Sequence, residues 1–458
     1  MPNSPARRPD ANAMTAEVRS VRTPAEQAIT DSFARVLPTL PGGARVRAVR
    51  EKAFAQFARA GLPTRRVEEW MYTDLRALMR TAAAPAKRPT LEVAARALKE
   101  TADSLAGLDR PKLVLVDGYF FPELSDLAAL ADVGVVPASL AELLDADDEI
   151  SERMFTRTAL AEGNVAVALN VAFATDGVAL RIAPGAIIAR PVEIVHVATG
   201  GASFARHALD VGAGASLKLI ETHRGTAGAG YQTSVVMGGI LGKGASLTYA
   251  KVQTEAADAI HYGAAMLGLS PAADLRHLML NAGAAVARSD VYLTTGGEHG
   301  RAMLAGATMA GGRQHADNTL LIEHAQGGAM TRVLYKNVID GEAEGVFQGK
   351  IIVDPDAQKT DAKMMSKALL LSPVAQFAAK PELEIFADDV QCGHGATSGQ
   401  IDAEQLFYLM ARGVPKAVAE RLLIEAFLDD AIDALGDEAI GEALKRTVAG
   451  WLDARGGK

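Results

Sequence analysis

The sequence predicts a mainly β chain with helical ends: a solenoid of short strands between an N-terminal helical domain and a C-terminal helical domain. Three observations predict it. From about Val165 to Val390, short runs rich in valine, isoleucine, leucine and threonine alternate with glycines, as in "SVVMGGILGKGASLTYAKVQT". Helical periodicity is nearly absent there and returns on either side. Within that stretch a Gly-Ala pair recurs at Gly185-Ala186, Gly214-Ala215 and Gly244-Ala245, 29 and 30 residues apart, each introducing a short strand such as "ASLKLIET". A repeat of that length without a helix fits one winding of a solenoid, each strand stacked on its equivalent in the next. Glycine and alanine suit the corners, where the backbone turns sharply and windings crowd one another. A large antiparallel sandwich also gives glycine-punctuated strands and stays open as the alternative.

The elements follow in order. Residues 1–22 open with "MPNSPARRPDANAMTAEVRS", which has two early arginines but no apolar core of a secretory signal. They read as a flexible tail, with Met14 an alternative start to Met1. Residues 23–160 read as a mostly helical N-terminal domain. In "TPAEQAITDSFARVL", Thr23 is a helix N-cap with Pro24 and Glu26 behind it. "RVRAVREKAFAQFARAGLP" stops at Gly61 and Pro63. In "RRVEEWMYTDLRAL", Trp70, Tyr72 and Leu75 are spaced to mark one buried face of a further helix. "PKLVLVDGYFFPELSDL" supplies a strand, a turn at Asp117-Gly118 and a second strand. Residues 161–398 form the expected solenoid, and residues 399–458 the C-terminal helical domain. There Asp402 caps a helix with Gln405 as its capping-box partner, and Gly413 and Pro415 end it. In the next helix Val418, Leu422, Leu423 and Phe427 share one face.

Composition narrows the function. Apolar residues make up 49% and charged residues 22% of 458, which describes a globular chain rather than a disordered one. The net charge of −8 gives no basic field for nucleic acid or an anionic membrane. No apolar run reaches the ~20 residues of a spanning helix; "VALNVAFATDGVALRIAPGAIIA" is broken by Asp176 and Arg181. The one cysteine, Cys392, cannot form a disulfide within the chain. It is free, metal-bound or paired with another chain, and a reducing cytoplasm is the expected setting.

Cys392 has His394 two places on, after the strand-like "LEIFADDV". Residues i and i+2 of a strand point to the same side, so thiol and imidazole converge. Three readings stand: a small buried hydrophobic cysteine beside a surface histidine, a nucleophile activated by its neighbour, or a pair of metal ligands. The third has a consequence. Tetrahedral zinc and iron–sulfur clusters take about four protein ligands, and this chain has no second cysteine, so histidines, carboxylates or another chain must complete the set. A second candidate is "GRQHADNTLLIEHAQ", with His315, Asp317, Glu323 and His324; on a strand His315 and Asp317 share a face and form a possible metal pair. "TTGGEHG" and "GTAGAGYQT" lack the Lys-Ser/Thr ending of a phosphate loop, and "GAGAS" has no βαβ unit around it, so no nucleotide site is assigned.

The run "DAQKTDAKMMSKALLLSPVAQFAAKPELEIFADDVQCGHGATSGQIDAEQLFYLMARGV" resembles the C-terminal signature of the SufB/SufD family of iron–sulfur cluster assembly scaffolds. Its "KTDA" turn, "LLLS" run, "PELEIFADDVQCGHGAT" core and "IDAEQLFYLMARG" helix carry the likeness. "LPTRRVEEWMYTDLRAL", "LVLVDGYFFPELSDL" and "LNVAFATDGVALRI" are similar to N-terminal blocks of the family. The lone cysteine, and Gly395 where SufB-type chains tend to carry glutamate, place the chain nearer the SufD-type paralogues. The resemblance implies a right-handed parallel β-helix (solenoid) flanked by the two helical domains. It implies a non-catalytic scaffold subunit that pairs with a SufB-like paralogue through the β-helix ends and docks a SufC-like ABC ATPase on its C-terminal helices. Cys392 and His394 match the family's C-x-H, as metal-binding residues for a transient Fe–S cluster at the subunit interface. A homodimer of the isolated chain and a bound flavin stay open. The rival expectation is a carbohydrate-active parallel β-helix enzyme, a polysaccharide lyase or hydrolase, which needs paired carboxylates or Ca²⁺ in a groove.

Overall fold

The computed structural model describes residues 22–147, 155 and 161–456; nearly all of the expected tail over 1–22 lies outside these. The N-terminal segment holds helices α1 (Pro24–Val36), α2 (Ala44–Ala60), α3 (Leu75–Leu78), α4 (Leu91–Glu100), α5 (Leu127–Asp132), α6 (Leu140–Asp145) and α7 (Val165–Phe173). Threaded among them are strands β1 (Lys112–Val116), β2 (Tyr119–Phe120) and β3 (Val136–Ser139). The winding then runs through β4 (Val178–Ile182), β5 (Ile187–Ala198), β6 (Ala202–Val211), β7 (Ser216–Gly225), β8 (Gln232–Leu241), β9 (Ser246–Gln253), β10 (Ile260–Leu269) and β11 (Asp274–Asn281). It continues through β12 (Val286–Thr295), β13 (Arg301–Ala310), β14 (His315–His324), β15 (Met330–Ile339), β16 (Glu344–Val353), β17 (Asp361–Leu370), β18 (Gln376–Ile385) and β19 (Gln391–Gly399). Helices α8 (Ala403–Ala411), α9 (Lys416–Asp433) and α10 (Glu438–Gly456) close the chain.

The chain is a parallel β-solenoid of about eight turns. Odd strands from β5 to β19 stack in one sheet and even strands from β4 to β18 in the other, so each strand pairs in parallel with the strand two places on. The sandwich alternative is thereby set aside. Side chains alternate between lumen and exterior, and the lumen is filled by aliphatic residues such as Leu247, Leu275, Leu304 and Ile322. The N-terminal helices cover the outside of the even sheet at Val236, Tyr262, Met266 and Tyr292. The C-terminal helices cover the odd sheet at Ile220, Leu278 and Ala305.

The Gly-Ala pairs are corners. Gly185, Gly214 and Gly244 have φ of 74°, 67° and 64°, a left-handed conformation that glycine adopts at little cost. The same conformation continues down the winding at Ala272, His299, Gly328 and Lys359. A ladder of amides joins them: Gly214 N–H donates to Lys243 O at 2.8 Å, Gly244 to Pro271 O at 2.9 Å and Ala272 to Glu298 O at 2.9 Å. The pair returns once, at Gly328-Ala329, but Ala272, His299 and Lys359 hold the other later corners, so the period breaks off in the sequence after Gly244.

Several local expectations hold. Thr23 and Glu26 form a complete capping box, and Asp402 accepts from the Glu404 and Gln405 amides. Asp117 and Gly118, at φ 53° and 84°, turn β1 into β2. Others need correction. "RRVEEWMYTDLRAL" is broken into short turns rather than one helix, although Trp70 and Leu75 are buried. "VAVALNVAF" is the helix α7, lying before the first strand of the winding; all nine residues are buried, and a segment buried on every side has no period to read. On α9 the buried residues are Ala419, Ile424, Leu428, Ala431 and Ile432, whereas Val418 and Leu422 are 47% and 45% exposed. Of the four residues that sequence spacing singles out, Val418 and Leu422 face outward, whereas Phe427 packs against the core that the helix shares with the odd sheet. No described helix is long and apolar enough to cross a membrane.

Candidate functional site

The last winding differs from those before it. Among the described residues β18 and β19 are the edge strands of their sheets, each paired on one side only. Every residue of β18 and β19 is half-buried or exposed, whereas β14 and β16 are mostly buried. An edge strand presents unpaired amides and carbonyls to whatever comes next. Phe386, just after β18, is 61% exposed.

Cys392 and His394 lie on that edge. β19 pairs with β17 so that Cys392 sits against Ala362 and His394 against Met364, both buried lumen residues. The pair therefore continues the inward file of side chains, as strand alternation requires, at the level where the lumen opens. Cys392 is half-buried and packs against the aliphatic core, and His394 is exposed. A Cβ at Gly393 would meet nothing within 4 Å, so the strand's outer side is bare there. Burial pushes the Cys392 thiol up from its ordinary value; the Ala362 backbone hydrogen bond works against this and the Asp361 charge adds to it. A thiol so held is protonated at neutral pH, and it gives up that proton where a metal binds it. One sulfur and one imidazole stand together on the inward side of the strand at the open end.

The second expected group is divided between the two faces of β14. His315 and Asp317 share the outer face, and they latch the N-terminal segment to the solenoid. His315 Nε2 is 2.8 Å from Thr73 Oγ1, Thr73 also donates to Asp317, and Arg288 Nη1 donates to Asp317 at 2.6 Å. His315 Nδ1 meets Glu344 at 3.2 Å. Glu323 accepts from Thr294 at 3.2 Å, and His324 points into the lumen beside Thr295 Oγ1 at 3.2 Å. These contacts give His315 and Asp317 a structural use.

Sequence spacing passes over a different set. His196, His207, His223, His261 and His277 are all buried in the lumen of the early windings, with Glu221, Lys251 and Glu255. The available signal was "ETH", which puts Glu221 and His223 at i and i+2, the same spacing as Cys392 and His394.

Two family models match the chain. The SUF system FeS cluster assembly SufBD core domain matches residues 194–427, and the SufBD protein N-terminal region matches residues 41–194. Among curated relatives, the chain is 31% identical over 392 residues to the iron–sulfur cluster assembly protein SufD of Escherichia coli, covering 84% of this chain and 88% of the relative. It is 28% identical over 405 residues to an iron–sulfur cluster assembly SufBD family protein of Synechocystis, covering 85% and 87%. It is 27% identical over 323 residues to SufD of Bacillus subtilis, covering 69% and 73%.

Proposed function

The chain belongs to the SufBD family of iron–sulfur cluster assembly proteins, and on that premise we propose that it is a non-catalytic scaffold subunit working in the cytoplasm. In this reading it pairs with a SufB-like paralogue through the open end of the solenoid. A nascent Fe–S cluster, the cargo, is held between the two chains, with Cys392 and His394 as this chain's share of the ligands. A SufC-like ATPase docks on the C-terminal helices.

The observation that carries the reading is the open last winding, with a thiol and an imidazole at its mouth. Continuing the two sheets into a second solenoid would satisfy the edge amides and bring the missing ligands to Cys392. The docking proposal rests on α8 and α9. Helix α8 has no buried residue and exposes Phe407 (72%), Tyr408 (58%) and Met410 (43%), next to Val418 and Leu422 of α9. Exposed apolar side chains grouped in this way mark an interface. ATP-driven approach of two such helical domains would shift the solenoid ends against each other and open or close the cluster site.

The test reconstitutes the chain with a SufB-like subunit and a SufC-like ATPase, and counts iron and sulfide. Cys392→Ala and His394→Ala are each expected to cut the cluster yield at least tenfold while the complex still assembles by gel filtration. Wild-type cluster content in both variants sinks the ligand assignment. Failure of the wild-type chain to form any complex sinks the scaffold reading.

A further inference from the structure

The early lumen holds a second constellation, independent of the cargo site. β5 and β7 pair so that His196 stands level with His223, and their rings stack with centroids 4.6 Å apart and planes 9° from parallel. His223 Nε2 lies 2.6 Å from Glu221 Oε1, and the Tyr249 hydroxyl donates to the other carboxylate oxygen. From the opposite sheet His207 brings its Nε2 to 3.0 Å from His196 Nε2. One donor atom each from His196, Glu221 and His223 lie within 4.8 Å of one another. We propose that these three residues form a buried site for one divalent first-row transition-metal ion of the zinc or ferrous class, with His207 beside it.

The donor chemistry fits that class. Two imidazoles and a carboxylate are the ligands that zinc and ferrous iron take, and they do not suit calcium or magnesium. The protonation states are the binding ones. Burial, with the neighbouring His223 and His207, holds His196 well below its ordinary value. His223 is held at about 4, first by burial and despite its bond to Glu221. Both rings are therefore neutral at pH 7 with a lone pair to give. Burial alone would raise Glu221, but its hydrogen bond to His223 and the charge of Lys251 hold it well below the usual range, so it is a carboxylate.

Two further features point to a cation. His223 Nδ1 is buried without a hydrogen-bond partner, and a buried polar atom left unpaired in a folded core calls for an explanation. Charge is the other. Lys251 Nζ is 3.1 Å from His261 Nε2, His261 Nδ1 is 2.6 Å from Glu255, and the ammonium acts on both Glu221 and Glu255. The one ammonium is thus shared between Glu221 and Glu255, and a fully buried carboxylate is costly without a full counter-charge. A divalent ion takes the place of the proton between His223 Nε2 and Glu221, that proton passes to the unpaired Nδ1, and the ion supplies the charge. His196, Glu221 and His223 are at most 7% exposed, so the ion enters as the chain folds.

The experiment needs no partner. The full chain is unfolded in denaturant with a chelator, refolded with Zn²⁺ or Co²⁺, desalted and analysed for metal. About one retained ion per chain is expected, with a raised thermal midpoint and, for Co²⁺, visible d–d bands. Glu221→Gln and His223→Asn should each reduce retention more than tenfold, and the Cys392→Ala, His394→Ala double variant should retain the ion. A wild-type chain that regains its circular dichroism yet holds under a tenth of an ion overturns the proposal, whether or not the variants fold. So does wild-type retention in a folded Glu221→Gln chain. Loss of the ion in the Cys392, His394 variant would move the metal to the cargo site.

Discussion

Both ends of the lumen carry imidazoles on inward-facing strand positions, and the two ends treat them differently. In the early windings His196, His207 and His223 lie under the N-terminal segment, where β1 and β3 extend the two sheets beyond β5 and β4. In the last winding Cys392 and His394 occupy the same kind of position, but no described strand follows β19. The alternation rule places donors inward at either end, and the presence or absence of a further strand decides what they can meet. A sealed donor set can hold only what was folded in with it. An open one can be completed by another chain and emptied again, which is what a scaffold handing on a cluster requires.

The largest expected effect tests what holds the N-terminal segment to the solenoid. Arg288 is buried on the outer face of β12, bonded to Asp290 at 2.9 Å, Asp317 at 2.6 Å and Glu69 O at 2.8 Å, with its guanidinium 3.8 Å over the Trp70 ring. Arg288→Ala leaves two buried carboxylates without their cation and is expected to cost about 3–5 kcal/mol in urea unfolding. Lys380→Ala, which removes an exposed tie between the same N-terminal segment and β18 through Glu68, is expected to leave the midpoint unchanged. Equal losses would mean that the last winding is held to the N-terminal segment as firmly as the middle of the solenoid.

Next in size is a pair of truncations in the lumen. Leu304 on β13 is fully buried, and Leu383 on β18 is half-buried against the same core. Leu304→Ala is expected to cost about 2–5 kcal/mol and Leu383→Ala less than about 2, because solvent and neighbours relax into the space at an open end. Similar costs in the isolated chain would show that the last winding is already closed. If the proposed partner covers it, the Leu383→Ala deficit should grow in the complex.

A smaller effect follows from acid. Burial lowers His324, inside the lumen, to about 4, against about 6.5 in the unfolded chain. Its folded value is depressed, so below about pH 6.5 the unfolded chain takes up a proton that the native chain refuses. Stability is then lost as pH falls from about 6.5 to about 4, by up to about 3 kcal/mol from this one group. His324→Asn should reduce the slope of stability against pH in that window by one proton. An unchanged slope would place His324 in contact with water.

Much of the architecture was legible because solenoids repeat. Three corners with glycine at positive φ set the period, and the texture of the strands did the rest. The helix α7 was not legible, since a segment buried all round shows no amphipathic face. The apolar residues of α9 were legible, but not which of them meet the sheet, because Val418 and Leu422 turn outward while Phe427 and Ile424 pack inward, and only packing decides between them. Cys392 stood out by being alone. The lumen histidines did not, because each comes from a different strand and only the stacking register brings them together. His315 and Asp317 share a face as expected, but the face is covered by Thr73 and Arg288, which are distant in sequence.

The smallest effect compares the corner row at its two ends. Gly244, in the early windings, has φ +64° with nothing within 4 Å of the place a Cβ would take, so Gly244→Ala tests backbone strain without a clash. It is expected to cost about 1 kcal/mol. Lys359, near the open end, holds the same conformation at φ 63° with a side chain present, and its ammonium pairs with Asp389 in an exposed contact. Exposed pairs contribute little, so Lys359→Gly should relieve strain and raise the unfolding midpoint slightly, offset in part by the greater entropy of glycine in the unfolded chain. Opposite signs at the two positions mean that one backbone geometry runs the length of the solenoid. A loss of stability for Lys359→Gly would mean that the bond to Asp389 helps to fix the last corner, and with it the strand that carries Cys392.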